Sequence, residues 1–283
     1  ICQDTGSANV YLEVGYDVKF DFSRSLQEVV DEGVRRGYQF DKNPLRASIV
    51  LDPIGSRKNS GDNTPALLTV DLVPGNTVSV YVSAKGGGSE NKAKFAVLNP
   101  SDSVADWVVD TVEKLGAGWC PPGILGIGVG GSSDRAMAMA KKALNDPLDM
   151  QALLKNGPQN KSEELRIEIY ERVNALGIGA QGLGGVTTVL DVKIKSFPTH
   201  AASLPVGLIP NCAATRHLHF TLDGTGVPNF ETPDLAAWPE ILLDEANKNA
   251  RRVDVDNLNE ETLASLKIGA VSYTHLRAHE TIR

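Results

Sequence analysis

The period of the apolar positions changes several times along the chain, and each change marks an element. Residues 10–14 alternate apolar and polar side chains and read as a strand, with residues 17–22 as a second candidate. From Ser25 the period lengthens: Leu26, Val29, Val30, Gly33 and Val34 fall on one helical face, with Glu28, Asp31, Glu32 and Arg35 opposite. Ser25 and Glu28 have the spacing of a capping box, and Arg36-Gly37 predicts the end of the helix. Residues 67–73 and 77–83 alternate on either side of Pro74-Gly75-Asn76 and predict a hairpin. Helical spacing recurs over residues 104–115, 134–144 and 161–176, and buried strands are predicted over 124–129 and 187–194. Residues 221–262 read as mostly extended, with a helix around 238–248. Strands and helices interleave, so the expected class is α/β: mixed sheets with packed helices, joined by Gly/Pro-rich loops.

Those loops carry most of the unusual chemistry. Residues 52–65 form a long irregular stretch, and a loop of that length in a compact domain usually has a task. Lys85-Gly86-Gly87-Gly88-Ser89-Glu90-Asn91 exposes backbone N–H groups among Lys85, Lys92 and Lys94, which predicts an anion site; a flexible turn is the alternative. Gly126, Gly128 and Gly131 satisfy G-x-G-x-x-G, a hint of dinucleotide binding. Close packing of strand on helix explains those glycines equally well, and no second strand ending in an acid follows at the expected place.

Composition narrows the field. The chain has 283 residues, 41% hydrophobic and 22% charged, with a net charge of −7. No apolar run approaches the ~20 residues of a membrane span. With no basic run, nucleic acid is not the expected partner. Three widely separated cysteines, Cys2, Cys120 and Cys212, make a poor disulfide framework. No leader is visible before Ile1, so the cytoplasm or an organelle matrix is expected, with an N-terminus that is processed or missing. Each cysteine sits in a rigid setting: Cys2-Gln3-Asp4-Thr5-Gly6, Cys120-Pro121-Pro122 and Pro210-Asn211-Cys212. Three unrelated buried thiols are one reading. A zinc site completed by His200 or His217 is another. A third is a [4Fe–4S] cluster with three protein ligands and one open iron, a Lewis acid suited to a hydro-lyase.

Taken in order, several motifs resemble one family. They are Ile1-Cys2-Gln3-Asp4-Thr5-Gly6, Leu45-Arg46, Arg57-Lys58-Asn59-Ser60-Gly61-Asp62-Asn63-Thr64-Pro65, the triple-glycine loop, Cys120-Pro121-Pro122, Gly177-Ile178-Gly179-Ala180-Gln181, and Pro198-Thr199-His200 through Cys212. Together they resemble the iron–sulfur hydro-lyases, the class I fumarases and L-tartrate dehydratases, over residues 1–268. The resemblance implies an N-terminal, alpha-type catalytic domain whose Cys2, Cys120 and Cys212 hold a [4Fe–4S] cluster. It implies that Gln3, Asp4, Arg46, Gly88 and Asn91 bind a small dicarboxylate, and that Asp4 and His200 form the catalytic pair moving the hydroxyl proton. It further implies a homodimer in the cytoplasm, or in the mitochondrial matrix of a eukaryote.

In that family a C-terminal domain or beta subunit supplies more cations and the base for the carbon-bound proton. It is absent from this sequence, so the chain alone is expected to hold a cluster without turning over substrate. Residues 269–283 resemble translated sequencing adapter, which removes His275 and His279 as ligands. Residues 218–226 resemble the single-chain fumarases, so reversible hydration of fumarate to malate is the first expectation and L-tartrate dehydration the alternative. A nucleotide-dependent oxidoreductase and a zinc-stabilised binding protein are the rivals from other classes.

Overall fold

The computed structural model describes residues 6–42, 44–226 and 228–230. Two mixed sheets are flanked by helices, as the α/β expectation holds. Strand β1 (Ser7–Gly15) is buried along almost its whole length, as expected of a strand with a neighbour on each side. Its neighbours are β2 (Leu67–Val73), parallel with Asn9 opposite Leu67, and β3 (Val78–Lys85), antiparallel with Ser7 opposite Lys85. Strands β8 (Arg216–Leu222) and β9 (Asn229–Phe230) complete the order β2-β1-β3-β8-β9.

The predicted hairpin is therefore corrected: β2 and β3 are real strands, but β1 lies between them. The end of β1 plugs into the turn that joins them. Gly15 N donates to Thr77 O (2.9 Å), Tyr16 N to Val73 O (2.9 Å) and Asp17 N to Gly75 O (3.0 Å). Gly15 is required here because a Cβ would enter the Gly75 backbone. Residues 17–22 form no strand; they lead to helix α1 (Leu26–Tyr38). Its capping box is present, with Glu28 N donating to Ser25 Oγ (3.2 Å) and Ser25 N to Glu28 Oε2 (2.8 Å). Leu26, Val30 and Val34 pack on Val10, Leu12 and Val80, the face predicted from spacing.

The second sheet has the order β4-β7-β5-β6, from β4 (Lys94–Leu98), β7 (Leu204–Cys212), β5 (Gly123–Gly130) and β6 (Val189–Phe197). Successive β5 side chains point to opposite faces. Leu125 and Ile127 enter the main core with Val108 and Val112 of α3 (Val104–Leu115), Ile169 and Val173 of α6 (Lys161–Ala175), and Trp119. On the other face Ile124 meets Ala140 of α4 (Ser133–Ala143). Gly126 and Gly128 lie under the Ala140 and Ala136 carbonyls, where a Cβ would collide with backbone. The glycine pattern thus serves close helix–strand packing, and β5 runs parallel to β6 but antiparallel to β7.

The sequence pattern did not predict β4, α5 (Met150–Asn156), β7 or β8. Pro205, Gly207 and Pro210 argue against a strand, yet β7 is buried almost throughout. It pairs with β4 only from Leu204 to Leu208, so Pro210 lies beyond the end of that neighbour. Among the described residues no helix is long and apolar enough to cross a membrane. The predicted helix near 238–248, the boundary at 268 and the tail 269–283 lie outside the described residues.

The long loop 52–65 is tied back to α1 by Arg35 Nε, which donates to Asp62 Oδ2 (2.9 Å). Partial burial alone would raise the Asp62 carboxyl; the N–H and hydroxyl of Thr64 and the Arg35 guanidinium outweigh it and hold the carboxyl down at about 2. A depressed folded-state value means the stabilisation is complete above the unfolded value of about 3.9 and is lost as pH falls toward 2. The melting-temperature gap between wild type and Asp62→Asn should accordingly narrow from pH 5 to pH 2; a gap independent of pH would refute the brace. Gly128→Ala should lower stability by about 1–3 kcal/mol through overpacking. Gly33→Ala, exposed in α1 with nothing within 4 Å of the added Cβ, should raise it by about 0.5–1 kcal/mol. Thermal denaturation of the two variants checks the pair.

Candidate functional site

The site is built from strand ends and loops that meet at one edge of the two sheets. Gly6 comes first, with φ +69°, and a Cβ on it would enter the Lys85 backbone. Its carbonyl accepts from Asn63 Nδ2 (3.0 Å), Ser48 Oγ (3.2 Å) and Tyr38 OH (3.4 Å). Asn63, itself left-handed at φ +63°, also accepts from Ser48 N (2.8 Å) at Oδ1. Two loops are thereby locked to the start of β1: the one carrying Arg46 and the one running through Asn59 to Pro65. Arg46 is exposed, two residues ahead of Ser48. Cys2, Gln3 and Asp4 lie outside the described residues.

The triple-glycine loop is an ordered turn, and Lys85 at its start is not free. It folds into a short helical turn, α2 (Gly87–Glu90), with Gly88 and Ser89 buried and Asn91 exposed. Asn91 N and Glu90 N are spent on Gly87 O (2.9 Å) and Gly86 O (3.1 Å). Lys85 is 2% exposed; its ammonium donates to Ser89 Oγ (3.0 Å) and Pro210 O (2.9 Å) and pairs with Glu90 Oε2 (3.3 Å). Burial pulls it down to about 8, with Lys141 acting the same way, while Glu90 and Cys212 oppose the fall. Lys141 shares Glu90 from the other side. Burial would raise the Glu90 carboxyl, but the two ammonium groups hold it below its ordinary value. Lys85 is thus a buried strut, correcting its reading as a loose anion ligand. Lys92 lies across Gly118, where a Cβ would meet its Cε and Nζ.

Cys120 and Cys212 arrive from two adjacent strands. Cys212 ends β7 opposite Gly123 of β5, and Ala213 N donates to Pro122 O (3.2 Å). The Pro-flanked loop expected for Cys212 is in fact the buried end of a strand. Cys120 is half-buried at φ +61°, an uncommon conformation for a residue with a Cβ. The glycine-rich turn 177–185 is stapled beside it: Gln181, at φ +54°, donates to Pro121 O from its backbone N (2.7 Å) and from Nε2 (3.2 Å). Trp119, directly before Cys120, is fully buried with its indole N–H unpartnered. Neither thiol is in a disulfide and both are held by rigid backbone, which fits soft thiolate ligation of an iron–sulfur group. Among the described residues no three His, Cys, Asp or Glu side chains group around a metal position. A third cysteine ligand would have to be Cys2.

His200 is elsewhere. It is exposed in the turn before β7; Ala202 N donates to its Nδ1 (3.1 Å), and the neighbouring Thr199 donates to Gly131 O (3.0 Å). Cys212 ends the nine-residue β7 that starts just after this turn, so strand rise alone separates the two by about 25 Å. The structure brings Cys120, Cys212 and the glycine turn to one edge and leaves this chain's His200 at the other. His217 sits on β8 opposite Ser83, nearer the cysteine edge. A separate cleft of about 310 Å³, between β1, β2 and α4, is lined by Tyr11, Glu90, Met137 and Lys141 and contains neither cysteine. Sequence reading missed Asn63 and Lys85 as organisers. The left-handed tendency of Asn before Thr-Pro was the available signal for the first; nothing in the sequence shows the carbonyl that Lys85 finds.

Comparison with known proteins agrees with this geometry. The profile of the family described as Fumarate hydratase (Fumerase) matches residues 1–221. A Methanocaldococcus jannaschii protein with the provisional name L(+)-tartrate dehydratase subunit alpha is 36% identical over 225 residues, covering 76% of this chain and 75% of that one. The L(+)-tartrate dehydratase subunit alpha of Escherichia coli strain UTI89 is 32% identical over 221 residues, covering 76% and 70%. That of strain K12 is 31% identical over 223 residues. The chain belongs to the fumarate hydratase (Fumerase) family of iron–sulfur hydro-lyases, as an N-terminal, alpha-type domain.

Proposed function

We propose that this chain is the alpha-type component of an L-tartrate dehydratase or a closely related 2-hydroxy-dicarboxylate hydro-lyase, working with a beta-type partner. The observation that carries this is the naming of its relatives as tartrate dehydratase alpha subunits, matched along three quarters of the chain. Their names favour the alternative over the first expectation of fumarate hydration. Of residues 218–226, read from sequence as a fumarase-like cue, 218–222 belong to β8.

In the proposed reaction L-tartrate loses a hydroxyl from one carbon and a proton from its neighbour. The resulting enol becomes oxaloacetate, and one water leaves. Cys120 and Cys212, with Cys2, would hold a [4Fe–4S] cluster, whose open iron supplies Lewis-acid binding of a hydroxyl and its adjacent carboxylate. Arg46, on the loop locked to Gly6, is assigned to the far carboxylate, where a planar guanidinium can bind both oxygens. Gly88 and Asn91 would line the path of the substrate chain, and Gln3 would hydrogen-bond it. Asp4, two residues from the anchored Gly6, would hold the hydroxyl proton. His200 of the same chain has no part in this arrangement, because β7 separates it from the cysteine edge.

The test is anaerobic reconstitution of the full-length protein with a beta-type partner, followed by assays on L-tartrate, malate and fumarate. A kcat/KM for L-tartrate at least ~10-fold above that for malate is expected, since an added substrate hydroxyl paired in the site is worth that much or more. The reverse preference would make it a fumarase. Cys120→Ser and Cys212→Ser should each lower iron content, and Arg46→Ala should raise KM while the iron stays bound. A full, stable cluster in either cysteine variant would remove that residue from the ligand set.

A further inference from the structure

Lys85 is used by no step of the proposed reaction, yet it is among the most constrained side chains of the site. It is the last residue of β3, its backbone stands directly against Gly6, and its ammonium is buried. It bonds Ser89 of the glycine turn and Pro210 of β7, linking the two sheets. Pro210 is two residues before Cys212. Strand β4 has already stopped at Leu208, so on that side the last turn of β7 has no strand neighbour among the described residues. Lys85 takes the place of one.

The charge balance points the same way. Lys85 and Lys141 share one carboxylate, Glu90. The small cavity beside them is lined by Tyr11, Asn145, Asn211, Thr215 and His217, none of them an acid. One positive charge is left over in a mostly buried place, which is costly unless an anion completes it. Cys212, two residues beyond the Pro210 carbonyl that Lys85 holds, is the group that becomes an anion on ligating a metal.

We propose that Lys85 is a positioning residue for the Cys212 ligand: its ammonium fixes the end of β7 against the glycine turn and brings a positive charge to the strand end that carries the sulfur. This rests on the cluster reading given above. A ligand held by an outer partner in this way loses affinity for its metal when the partner is removed, by about 10–100-fold. The positive charge should also favour the reduced, more negative cluster.

The experiment compares wild type, Lys85→Met and Glu90→Gln as full-length protein with the beta-type partner, reconstituted anaerobically. Iron retained against a chelator and the reduction potential of the cluster are measured beside the melting temperature of the metal-free forms. Lys85→Met, which keeps the apolar stem and removes the charge, should hold iron about 10-fold less tightly and shift the potential negative. Glu90→Gln removes the opposing charge and should shift the potential positive. A purely structural lysine would move melting temperature without shifts of opposite sign. Shifts of the same sign, or none, overturn the proposal. Should Lys85→Met fail to fold, the Glu90→Gln potential decides alone: a positive shift supports the assignment and an unchanged potential overturns it. Failure of the wild type to take up iron would instead refute the cluster reading itself, so the two failures are told apart.

Discussion

A buried ammonium must keep its hydrogen bonds, and that requirement organises the site edge. Lys85 can be buried because three partners from two elements surround it: a hydroxyl and a carboxylate on the glycine turn and a carbonyl on β7. None can move far without leaving a charge unsatisfied, a loss of several kcal/mol in a dry setting. The turn, the end of β3 and the end of β7 are therefore fixed as one body. Gly6 adds the start of β1, because its missing side chain lets it lie on the Lys85 backbone. The pairing of Cys212 with Gly123 carries the constraint on to Cys120-Pro121-Pro122, and Gln181 extends it to the turn 177–185.

Glycine serves this protein mainly by letting backbones touch. Gly15 admits the turn before β3, Gly6 admits Lys85, and Gly126 and Gly128 admit helix α4. This explains why a phosphate-loop pattern is present without a phosphate loop. In a dinucleotide fold such glycines face a ligand at a helix N-terminus. Here two of the three face helix carbonyls midway along α4, so no room is left between strand and helix.

What the sequence could reveal depended on how local the cause was. Helix α1 was legible because Ser25 and Glu28 satisfy each other three residues apart, and its apolar face has a fixed period. The strands β2 and β3 were legible for the same reason, but their partner was not. Insertion of β1 between them depends on hydrogen bonds from Gly15, Tyr16 and Asp17, some sixty residues earlier in the chain. Strand β7 was hidden by its prolines, which are tolerated because Pro210 stands beyond the end of β4 and Pro205 beyond the last pair with β5, Val129 with Val206. The motif resemblance named the cysteines together. The structure adds the reason for Cys120 and Cys212: both ends belong to adjacent, register-paired strands. It also separates His200 from them, since His200 and Cys212, near in sequence, sit at the two ends of one extended strand.

The same geometry bears on how a doubly charged substrate could be held. A dicarboxylate needs cations that are not already neutralised. At this edge Lys85 and Lys141 are committed to Glu90. Lys85, which opens the glycine loop, is therefore a poor candidate for a substrate carboxylate. What the alpha-type chain offers is rigidity: backbone locked at Gly6, Cys120 and Cys212, with Arg46 on a loop braced by Ser48 and Asn63. Rigid ligand placement and mobile cationic recognition make opposing demands on one set of residues. A division in which this chain fixes the reacting centre and a second component brings further positive charge would meet both.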